Sequence, residues 1–563
     1  MQSLAEDMVT DLIDSKINGL RAEACVWLQA MRVIGGTYDD FSAHYSHSPG
    51  ASTRMLHRQL SYDTNADERS RLLGPGRAAR FGPLDPADPA VSPYNLWTVR
   101  GLRWMTIVLL YASVVWWVLL LISAFVTPPG MNSRGSGFYE FAYSTIAVAM
   151  LIVTLLFFAT PSRAEQYSCL VISFLLFVDA IIILAVEGIR VEAGWVGITS
   201  VVWAMAMSGW VVLCDRIVEY GKAEEEERLT GRHETKRTLR EWSAVFTSTI
   251  LTFLLIGVTA LLTLTLIMTA HDTSLTPFGS RYYVDGEKYQ VHVFCEGNKN
   301  VSENTVLLEA GEYPVEGGME GWVFDTYNNG SIGRYCYWDR PGFGFSDNAP
   351  SPLSAGMAAD ALSEALAKAG ETGPWVLVSH GVGGIYSRIF ASRHAAEVHG
   401  FLLIDTLHEA LLYRIGSPGR GFKLWVRGVI SPVGFDRLWG WMFKRDTRED
   451  RIFGSAAYQN GKLIKAKLQE ALVATTYTNN EIKTAKVILP RDVPLAVVSS
   501  GERAKNDLRW YEAQRDLSGL SDKLVGWDIV DHAPHEVWRT FEGRKVLETR
   551  LKQLVNGKKN REL

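Results

Sequence analysis

Residues 375–384 read WVLVSHGVGG, an apolar run that ends in a glycine-rich turn. The run Trp375–Ser379 has the composition of a buried strand, and Gly384–Ala396 that of a helix. The stretch therefore predicts a strand that turns sharply into a helix. Short runs of the same kind alternate with helical stretches over residues 280–557. This alternation is typical of a mostly parallel sheet covered by helices.

The other predicted elements of this region follow in chain order. A hairpin opens it, with Arg281–Val284 and Lys288–Cys295 joined by the turn Asp285-Gly286. The further strands and helices are Thr305–Glu309, Gly333–Trp338, Ala355–Ala369, Phe401–Ile404, Leu495–Ser499, Asp507–Leu517, Leu524–Val530 and Phe541–Leu554.

Four segments resemble their counterparts in α/β hydrolases, in the same order and at similar spacing. They are Leu307–Gly311, Trp338–Ser346, Val376–Gly384 and Gly400–Asp405. The resemblance covers about residues 280–557, and it implies the α/β-hydrolase fold with a helical lid inserted at residues 408–490. With the membrane helices described below, the chain is similar to uncharacterised fungal-type integral membrane proteins with a hydrolase domain.

The resemblance also places the nucleophile and the histidine. The nucleophile of the G-x-S-x-G motif falls at Gly381, because the sequence there reads Ser-His-Gly-Val-Gly over residues 379–383. Glycine cannot form an acyl intermediate, although it tolerates the backbone angles of the elbow. His535 is spaced before the last helix as the catalytic histidine of the family is, with His532 as the alternative. We expect an elbow that has kept its shape and lost its nucleophile.

The acid partner of the histidine has several candidates. Glu502 follows the seventh strand, where the family places its acid, and Asp507 comes next. Asp405, after the sixth strand, is a third candidate, although a structural hydrogen-bonding role is favoured there. The oxyanion hole would use the backbone N–H groups of Val382 and Glu312. A carboxylate at Glu312 that points inward would oppose an oxyanion.

Other side chains near the elbow are expected to play no catalytic part. Ser379 should be buried below the elbow, and His380 should point elsewhere. His380, His535 and Glu312 could gather a metal, but they lack a spacing motif, so we expect no metal and no cofactor. The second and fourth strands are neighbours in this fold, which implies a disulfide between Cys295 and Cys336.

The region upstream of residue 280 is dominated by long apolar runs. About 20 apolar residues in a helix span the ~30 Å hydrocarbon core of a bilayer. We therefore predict about five transmembrane helices within residues 101–271. Asp179 interrupts one run, and we expect it to make a polar contact between helices, with a role in transport as the alternative. The runs are Trp104–Val126, Phe141–Thr160, Tyr167–Val186, Ala193–Cys214 and Trp242–Ala270.

Charge in the short loops predicts the orientation. Lys and Arg are concentrated in Asp215–Ala244 and just before the first apolar run, which places both in the cytosol. An odd number of spans then places the C-terminal domain in the lumen or outside the cell. Asn300 and Asn329 begin glycosylation motifs in that domain. Its cysteines form an even pair, as an oxidising compartment favours.

Residues 1–100 are predicted to be a cytosolic tail, largely disordered after residue 45 because Ser, Pro, Gly and Arg are frequent there. Glu68, Leu72 and Leu73 resemble an acidic dileucine signal read by cytosolic sorting adaptors, with a chance match as the alternative. These features favour membranes of the secretory and endosomal–vacuolar system. Mitochondrial membranes are the alternative, although the acidic start of the chain argues against a transit peptide.

The charge balance of the chain argues against nucleic-acid binding. With 57 Lys+Arg against 61 Asp+Glu, the net charge of −4 gives no support for a nucleic-acid partner.

The segment Gly421–Lys444 is rich in aromatic and basic residues, which predicts either an interfacial helix on lipid or a lid packed on its own domain.

Three functions are compatible with this sequence. The first is an impaired hydrolase homologue that binds a lipid-like ligand or a protein partner. The second is an active ester or lipid hydrolase in which His535 activates water. The third is a transport or membrane-organising protein with an accessory hydrolase domain.

Overall fold

The structure, a computed structural model, describes residues 93–231, 237–299 and 304–557. Within these ranges, five helices are long and apolar enough to cross a membrane, which confirms the predicted helical region. They are α1 (Trp97–Ser123), α2 (Phe138–Leu156), α3 (Arg163–Ala185), α4 (Glu187–Thr230) and α5 (Leu239–Asp272). The sorting motif Glu68, Leu72 and Leu73 and the glycosylation motif at Asn300 lie outside the described residues.

The helical region begins earlier than predicted. Helix α1 starts at Trp97, inside the segment predicted to be a disordered tail, and a 3-10 helix at Pro93–Asn95 precedes it. The Tyr94 ring stacks on Phe158 at 6.4 Å between centroids, and Asn95 donates a hydrogen bond to Glu225. These contacts with the bundle explain why the last residues of the predicted tail are ordered.

A local sequence signal marks the start of one membrane helix. Helix α5 begins with a capping box in which the Thr238 hydroxyl accepts from the Glu241 N–H and the Glu241 side chain accepts from the Thr238 N–H.

The Tyr143 hydroxyl of α2 donates to Asp179 Oδ2 of α3 at 3.2 Å, and Asp179 is fully buried. The predicted polar contact between helices is confirmed.

The α/β domain is built on one mixed sheet. Among the described residues its strand order is β1-β2-β4-β3-β5-β6-β7-β8, with β2 antiparallel to its neighbours β1 and β4 and all other neighbouring pairs parallel. This is the predicted α/β-hydrolase architecture. The strands are β1 (Ser280–Val284), β2 (Tyr289–Gly297), β3 (Thr305–Glu309), β4 (Arg334–Trp338), β5 (Trp375–His380), β6 (Val398–Ile404), β7 (Leu495–Ser500) and β8 (Leu524–Val530).

Helices cover both faces of the sheet, and buried aliphatic and aromatic side chains fill the layers between them. Sequence patterning missed the first of these helices, α6, whose polar residues weaken its apolar periodicity. The helices are α6 (Met319–Asn328), α7 (Ala355–Ala369), α8 (Gly383–Arg393), α9 (Pro418–Ile430), α10 (Phe435–Trp439), α11 (Arg448–Ile452), α12 (Gly461–Val473), α13 (Asn479–Ile488), α14 (Gly501–Asn506), α15 (Leu508–Ser518) and α16 (Phe541–Val555).

Strands β2 and β4 pair in the register that sets Cys295 opposite Cys336. The two residues form a disulfide, as the resemblance implied. The bond joins neighbouring antiparallel strands on the side of the sheet that begins with β1.

Helices α9–α13 form the lid, the segment between β6 and β7, and the lid packs on the ends of the membrane helices. Asp272, the last residue of α5, accepts from Arg451 at 2.6 Å and from Arg437 at 3.3 Å. Lys462 pairs with Glu192 of α4 at 2.9 Å. Ion pairs buried to this extent hold the lid firmly against the bundle.

The segment Gly421–Lys444 packs partly on the membrane helices, whereas the sequence predicted packing on its own domain or an interfacial helix. Gly428 and Arg437 are buried, and an added Cβ at Gly428 would overlap the Phe138 ring of α2. Large aromatic side chains of the same segment remain exposed beside the bundle, as an interfacial segment requires. They are Phe422, Phe435, Trp439, Trp441 and Phe443.

Candidate active site

The strand order brings the chemically important loops together. Strands β3, β5 and β6 are neighbours and parallel, so their carboxyl ends meet at one edge of the sheet. Glu312 follows β3, Gly381 follows β5 and Asp405 follows β6. His535 arrives from the loop after β8 and completes the cluster. Ligand sites of α/β sheets lie at this edge.

Gly381 forms the elbow between β5 and α8. Its φ of +53° lies in the left-handed region, which glycine adopts without strain. A Cβ built on Gly381 would lie 2.6 Å from Glu312 Oε2 and 3.1 Å from Glu312 Oε1. The carboxylate of Glu312 therefore takes the space in which a nucleophilic side chain would stand.

His535 lies between two carboxylates. Its Nδ1 is 2.6 Å from Asp405 Oδ2, and its Nε2 is 3.1 Å from Glu312 Oε2. The side chain of His535 is 12% exposed. In a hydrolase the Nε2 atom would accept the proton of the nucleophile. Here a carboxylate occupies that position.

The acid that contacts His535 is Asp405, which corrects the predictions for Glu502 and Asp507. Asp405 is fully buried, and its Oδ1 accepts from the Ser500 N–H at 3.1 Å and from Trp510 Nε1 at 2.8 Å. Because these two bonds engage Oδ1, Oδ2 of Asp405 can accept from the His535 imidazole.

Glu502 and Asp507 have other environments. Glu502 is exposed in the first turn of α14. Asp507 pairs with Arg414 and accepts from the Trp510 N–H as the cap of α15. The signal for Asp405 was present in the sequence as an acid directly after a buried strand, but the expectation of an acid after the seventh strand outweighed it.

The contacts of His535 decide its charge. Burial disfavours the imidazolium, but hydrogen bonds to Asp405 and Glu312 outweigh burial and raise the pKa of His535 to about 9. Burial likewise opposes the charge on Glu312, yet its bond with His535 holds the pKa of Glu312 well below the usual range. At neutral pH the cluster is an imidazolium between two carboxylates.

The expectation for His380 was wrong, whereas that for Ser379 is confirmed. Ser379 is fully buried and accepts a hydrogen bond from Ser387 at 3.0 Å. The His380 ring lies 4.2 Å from the His535 ring, and its Nε2 donates to the backbone carbonyl of His535 at 3.2 Å. Burial, and then the charge of His535, lower the pKa of His380 to about 3. His380 is therefore a neutral support beneath the imidazolium.

His532 does not enter the cluster. It is exposed and has a φ of +55°, in the turn that precedes His535. The spacing argument for His535 over His532 therefore agrees with the placement of the two side chains.

The donor atoms of Glu312, His380 and His535 lie within 4.8 Å of one another, close enough to surround a cation. The nitrogens of His380 are otherwise engaged. Nε2 donates to the His535 carbonyl, and Nδ1 packs against Gly311, where an added Cβ would lie 2.4 Å away. The arrangement therefore suits an ion pair better than a metal centre.

The backbone N–H groups of Val382 and Glu312 stay the predicted donors of the oxyanion hole. Val382 is buried directly before α8, where its N–H would join that of Glu312. The Glu312 carboxylate does point inward, as the contacts with Gly381 and His535 show. A negative charge in this place opposes the charge that an acyl-transfer reaction develops.

Comparisons with known proteins agree with the two-part architecture. Residues 52–295 match a family described as a region of unknown function, DUF2417, and residues 317–542 match the alpha/beta hydrolase family. A crystal structure of an alpha/beta hydrolase from a deep-sea metagenome library shares 14% identity with this chain, covers 49% of this chain and 96% of its own, and gives a TM-score of 0.37.

Two relatives come from yeasts. A protein of Saccharomyces cerevisiae described as an uncharacterised vacuolar membrane protein is 28% identical, over 57% of this chain and 59% of its own. A protein of Schizosaccharomyces pombe described as uncharacterised is 32% identical, over 88% of this chain and 99% of its own. In this chain a helical membrane region precedes an α/β-hydrolase domain, and the chain belongs to the family of the Schizosaccharomyces pombe protein.

Proposed function

We propose that this protein is a membrane-anchored hydrolase-fold protein that has lost ester hydrolysis and keeps the fold to bind a lipid-like ligand. The observation that carries the proposal is the position of Glu312, whose carboxylate fills the space beside Gly381 and contacts His535. The nucleophile is absent and the base, His535, is engaged by Glu312, so neither of the two groups that start acyl transfer is available.

The same observation argues against hydrolysis by water that His535 activates. A general base needs a free lone pair on Nε2, and an imidazolium has none. The raised pKa of His535, about 9, keeps the ring charged at the pH of any cellular compartment. A single contact therefore disfavours both the usual mechanism and its water-based variant.

The ligand side of the proposal is supported by a cavity in the lid. It has a volume of about 390 Å³, within the range of small-molecule sites, and lies between α9, α10 and α12. Apolar side chains supply most of the wall, and Lys423, Arg427 and Arg437 add positive charge near Asp436. An amphiphile with an acidic head and an apolar tail matches this lining.

The cavity also lies next to the membrane helices, because Arg437 contacts Thr269 and Asp272 of α5. A lipid of the adjacent leaflet could enter without crossing water. We propose that this leaflet is the lumenal one of a vacuolar-system membrane. The positive-inside pattern, the disulfide and the vacuolar relative support this assignment.

Fluorophosphonate labelling of the purified protein tests the loss of catalysis. Wild type should not react, and Gly381→Ser alone should react weakly because the new side chain meets Glu312. Gly381→Ser combined with Glu312→Ala should gain reactivity, and adding His535→Ala should abolish it. Gly381→Ala with Glu312→Ala is the matched control without a hydroxyl. Ester turnover by wild type that disappears in His535→Ala would overturn the proposal.

Native mass spectrometry tests ligand binding. Protein extracted in mild detergent should retain an acidic lipid, and Ile464→Trp, which fills the cavity wall, should release it. Val487→Trp on the exposed face of α13 is the matched control, since that side chain is 86% exposed. Equal lipid retention by both variants would exclude the lid cavity as the binding site.

A further inference from the structure

A second cluster of ionisable groups lies inside the α/β domain. His292 of β2, Glu316 in the loop after β3 and Asp339 at the end of β4 converge there. His292 Nδ1 is 2.9 Å from Asp339 Oδ2 and 3.6 Å from Glu316 Oε1. The three side chains are at most 2% exposed. No residue of this cluster belongs to the elbow.

The hydrogen bonding of His292 fixes the chemistry of its ring. Nε2 contacts the backbone carbonyl of Phe278, which can only accept, so Nε2 carries a hydrogen. In the neutral imidazole the other nitrogen, Nδ1, then presents a lone pair. That lone pair points at oxygen atoms of two carboxylates. Such an arrangement is repulsive unless a proton or a metal ion lies among the three atoms.

The remaining polar atoms of the cluster are unsatisfied. Within the described residues, neither oxygen of Glu316 has a hydrogen-bond partner, and Asp339 Oδ1 has none either. The Tyr337 hydroxyl nearby is also buried without a partner. Asp339 Oδ2 accepts from the Phe345 N–H at 3.0 Å, which fixes this carboxylate in place. Burying unpaired carboxylate oxygens is costly, so these atoms favour a bound cation or a shared proton at this place.

We propose that His292, Glu316 and Asp339 bind a divalent zinc ion. One imidazole nitrogen and carboxylate oxygens are ligands that zinc prefers. Atoms about 2.0–2.2 Å from a shared tetrahedral ion lie about 3.3–3.6 Å apart. The 3.6 Å separation between His292 and Glu316 matches this spacing, and the 2.9 Å pair of His292 and Asp339 would open slightly to admit the ion. The fourth position would be taken by water or by the Tyr337 hydroxyl.

The ion would have a structural consequence for the elbow. Glu316 lies four residues after Glu312 in the same loop. By tying Glu316 to β2 and β4, the ion would fix the loop that presents the Glu312 carboxylate to His535. The proposal does not depend on the loss of hydrolysis, since a fixed loop would serve a binding site or a catalytic one.

The competing explanation places protons in the cluster instead of a metal. Without an ion, burial and the neighbouring Asp339 raise the pKa of Glu316 well above its usual range. Glu316 would then be neutral and could share its proton with Asp339. The two explanations differ in metal content, which can be measured.

The test uses full-length protein purified in detergent without chelators and dialysed against zinc. Elemental analysis should find about one zinc per chain. Glu316→Gln should weaken zinc binding by more than about 100-fold, since even outer contacts of a metal site cost 10–100-fold. Glu312→Gln, which alters the elbow cluster instead, is the matched control and should keep the ion. Zinc-free wild type, or loss of zinc only in Glu312→Gln, would overturn the proposal.

A second measurement covers the case in which Glu316→Gln does not fold. Wild-type protein loaded with Co²⁺ should show the visible ligand-field absorption of a four-coordinate site with nitrogen and oxygen ligands. Excess zinc should abolish that absorption, and a chelator should lower the melting temperature of the wild type. A cobalt-treated protein without such bands would favour the shared proton and exclude the metal.

Discussion

Nε2 of His535 lies 3.1 Å from Oε2 of Glu312, and this contact turns the histidine from a base into a buried cation. Asp405 on the opposite side of the ring completes the ion pair at 2.6 Å. Gly381 and Glu312 fit each other sterically, since a Cβ at 381 would lie 2.6 Å from Glu312 Oε2. The glycine leaves the space that the carboxylate fills, and the carboxylate keeps on His535 Nε2 the proton that a serine would otherwise have delivered.

The first prediction concerns pH. The folded-state pKa of His535, about 9, exceeds the ordinary value of 6.5. The imidazolium therefore contributes stability that is complete below pH 6.5 and is lost as the pH rises through 9. The difference corresponds to about 3 kcal/mol. Thermal melting of wild type and His535→Gln across this range should show the two curves converging at high pH. Parallel curves would contradict the charge assigned to His535.

Sequence reasoning found the elements of this site that have strong local signals. Gly381 stands in a motif with a fixed strand and helix around it, and His535 has a defined distance to the last helix. Asp405 was assigned a lesser role because a family expectation pointed elsewhere. His380 was misplaced because the direction of a side chain at a strand end depends on the packing of the next loop. Local composition does not predict such packing.

The contacts between lid and bundle could not be predicted for a similar reason. Asp272 ends a membrane helix, and Arg437 and Arg451 lie far along the chain in a segment that looked interfacial. Charged residues in such positions are ordinarily solvated. No local sequence pattern links Asp272 to either arginine, so their pairing could be seen only in the folded chain.

The second prediction tests this contact. Asp272→Asn would leave the buried guanidinium groups of Arg437 and Arg451 without their carboxylate, and should destabilise the protein by about 3–5 kcal/mol. Asp436→Asn, which breaks the exposed pair with Arg427, should cost less than about 1 kcal/mol. Melting temperatures in one detergent compare the variants. Equal effects would mean that the lid is not held by Asp272.

The third prediction concerns the disulfide. Cys295 and Cys336 are 41 residues apart, and closing a loop of this length contributes about 3–4 kcal/mol in the chain-entropy model. A thiol reagent applied to denatured, unreduced protein should label Cys169 and Cys214 but neither member of the pair. Reduction before labelling should expose both. Full labelling of either without reduction would remove the disulfide.

The fourth prediction tests the orientation. Asn329 is exposed just after α6, where a glycosylating enzyme could reach it. If the domain is lumenal, a deglycosylating enzyme should increase the mobility of the wild type in gels, and Asn329→Gln should remove part of that shift. A protease added outside sealed vesicles should spare the domain. Its digestion from the cytosolic side would reverse the orientation.

The fifth prediction concerns sorting. Replacement of Leu72 and Leu73 by Ala should move a tagged protein from vacuolar or endosomal membranes toward the cell surface, because an adaptor would no longer read the dileucine pair. Replacement of Leu56 and Leu60, in the same tail, is the matched control. An unchanged distribution of the Leu72 and Leu73 variant would show that the motif is accidental.

The attachment of the lid to α5 through Asp272 has a mechanical consequence. A membrane helix changes its tilt when the thickness of the surrounding bilayer changes. Because the lid is fixed to the end of that helix, the tilt becomes a displacement of the roof of the lid cavity. The shape of the lid cavity is thereby coupled to the lateral pressure and composition of the membrane, and we expect the proposed binding site to differ between thin and thick bilayers.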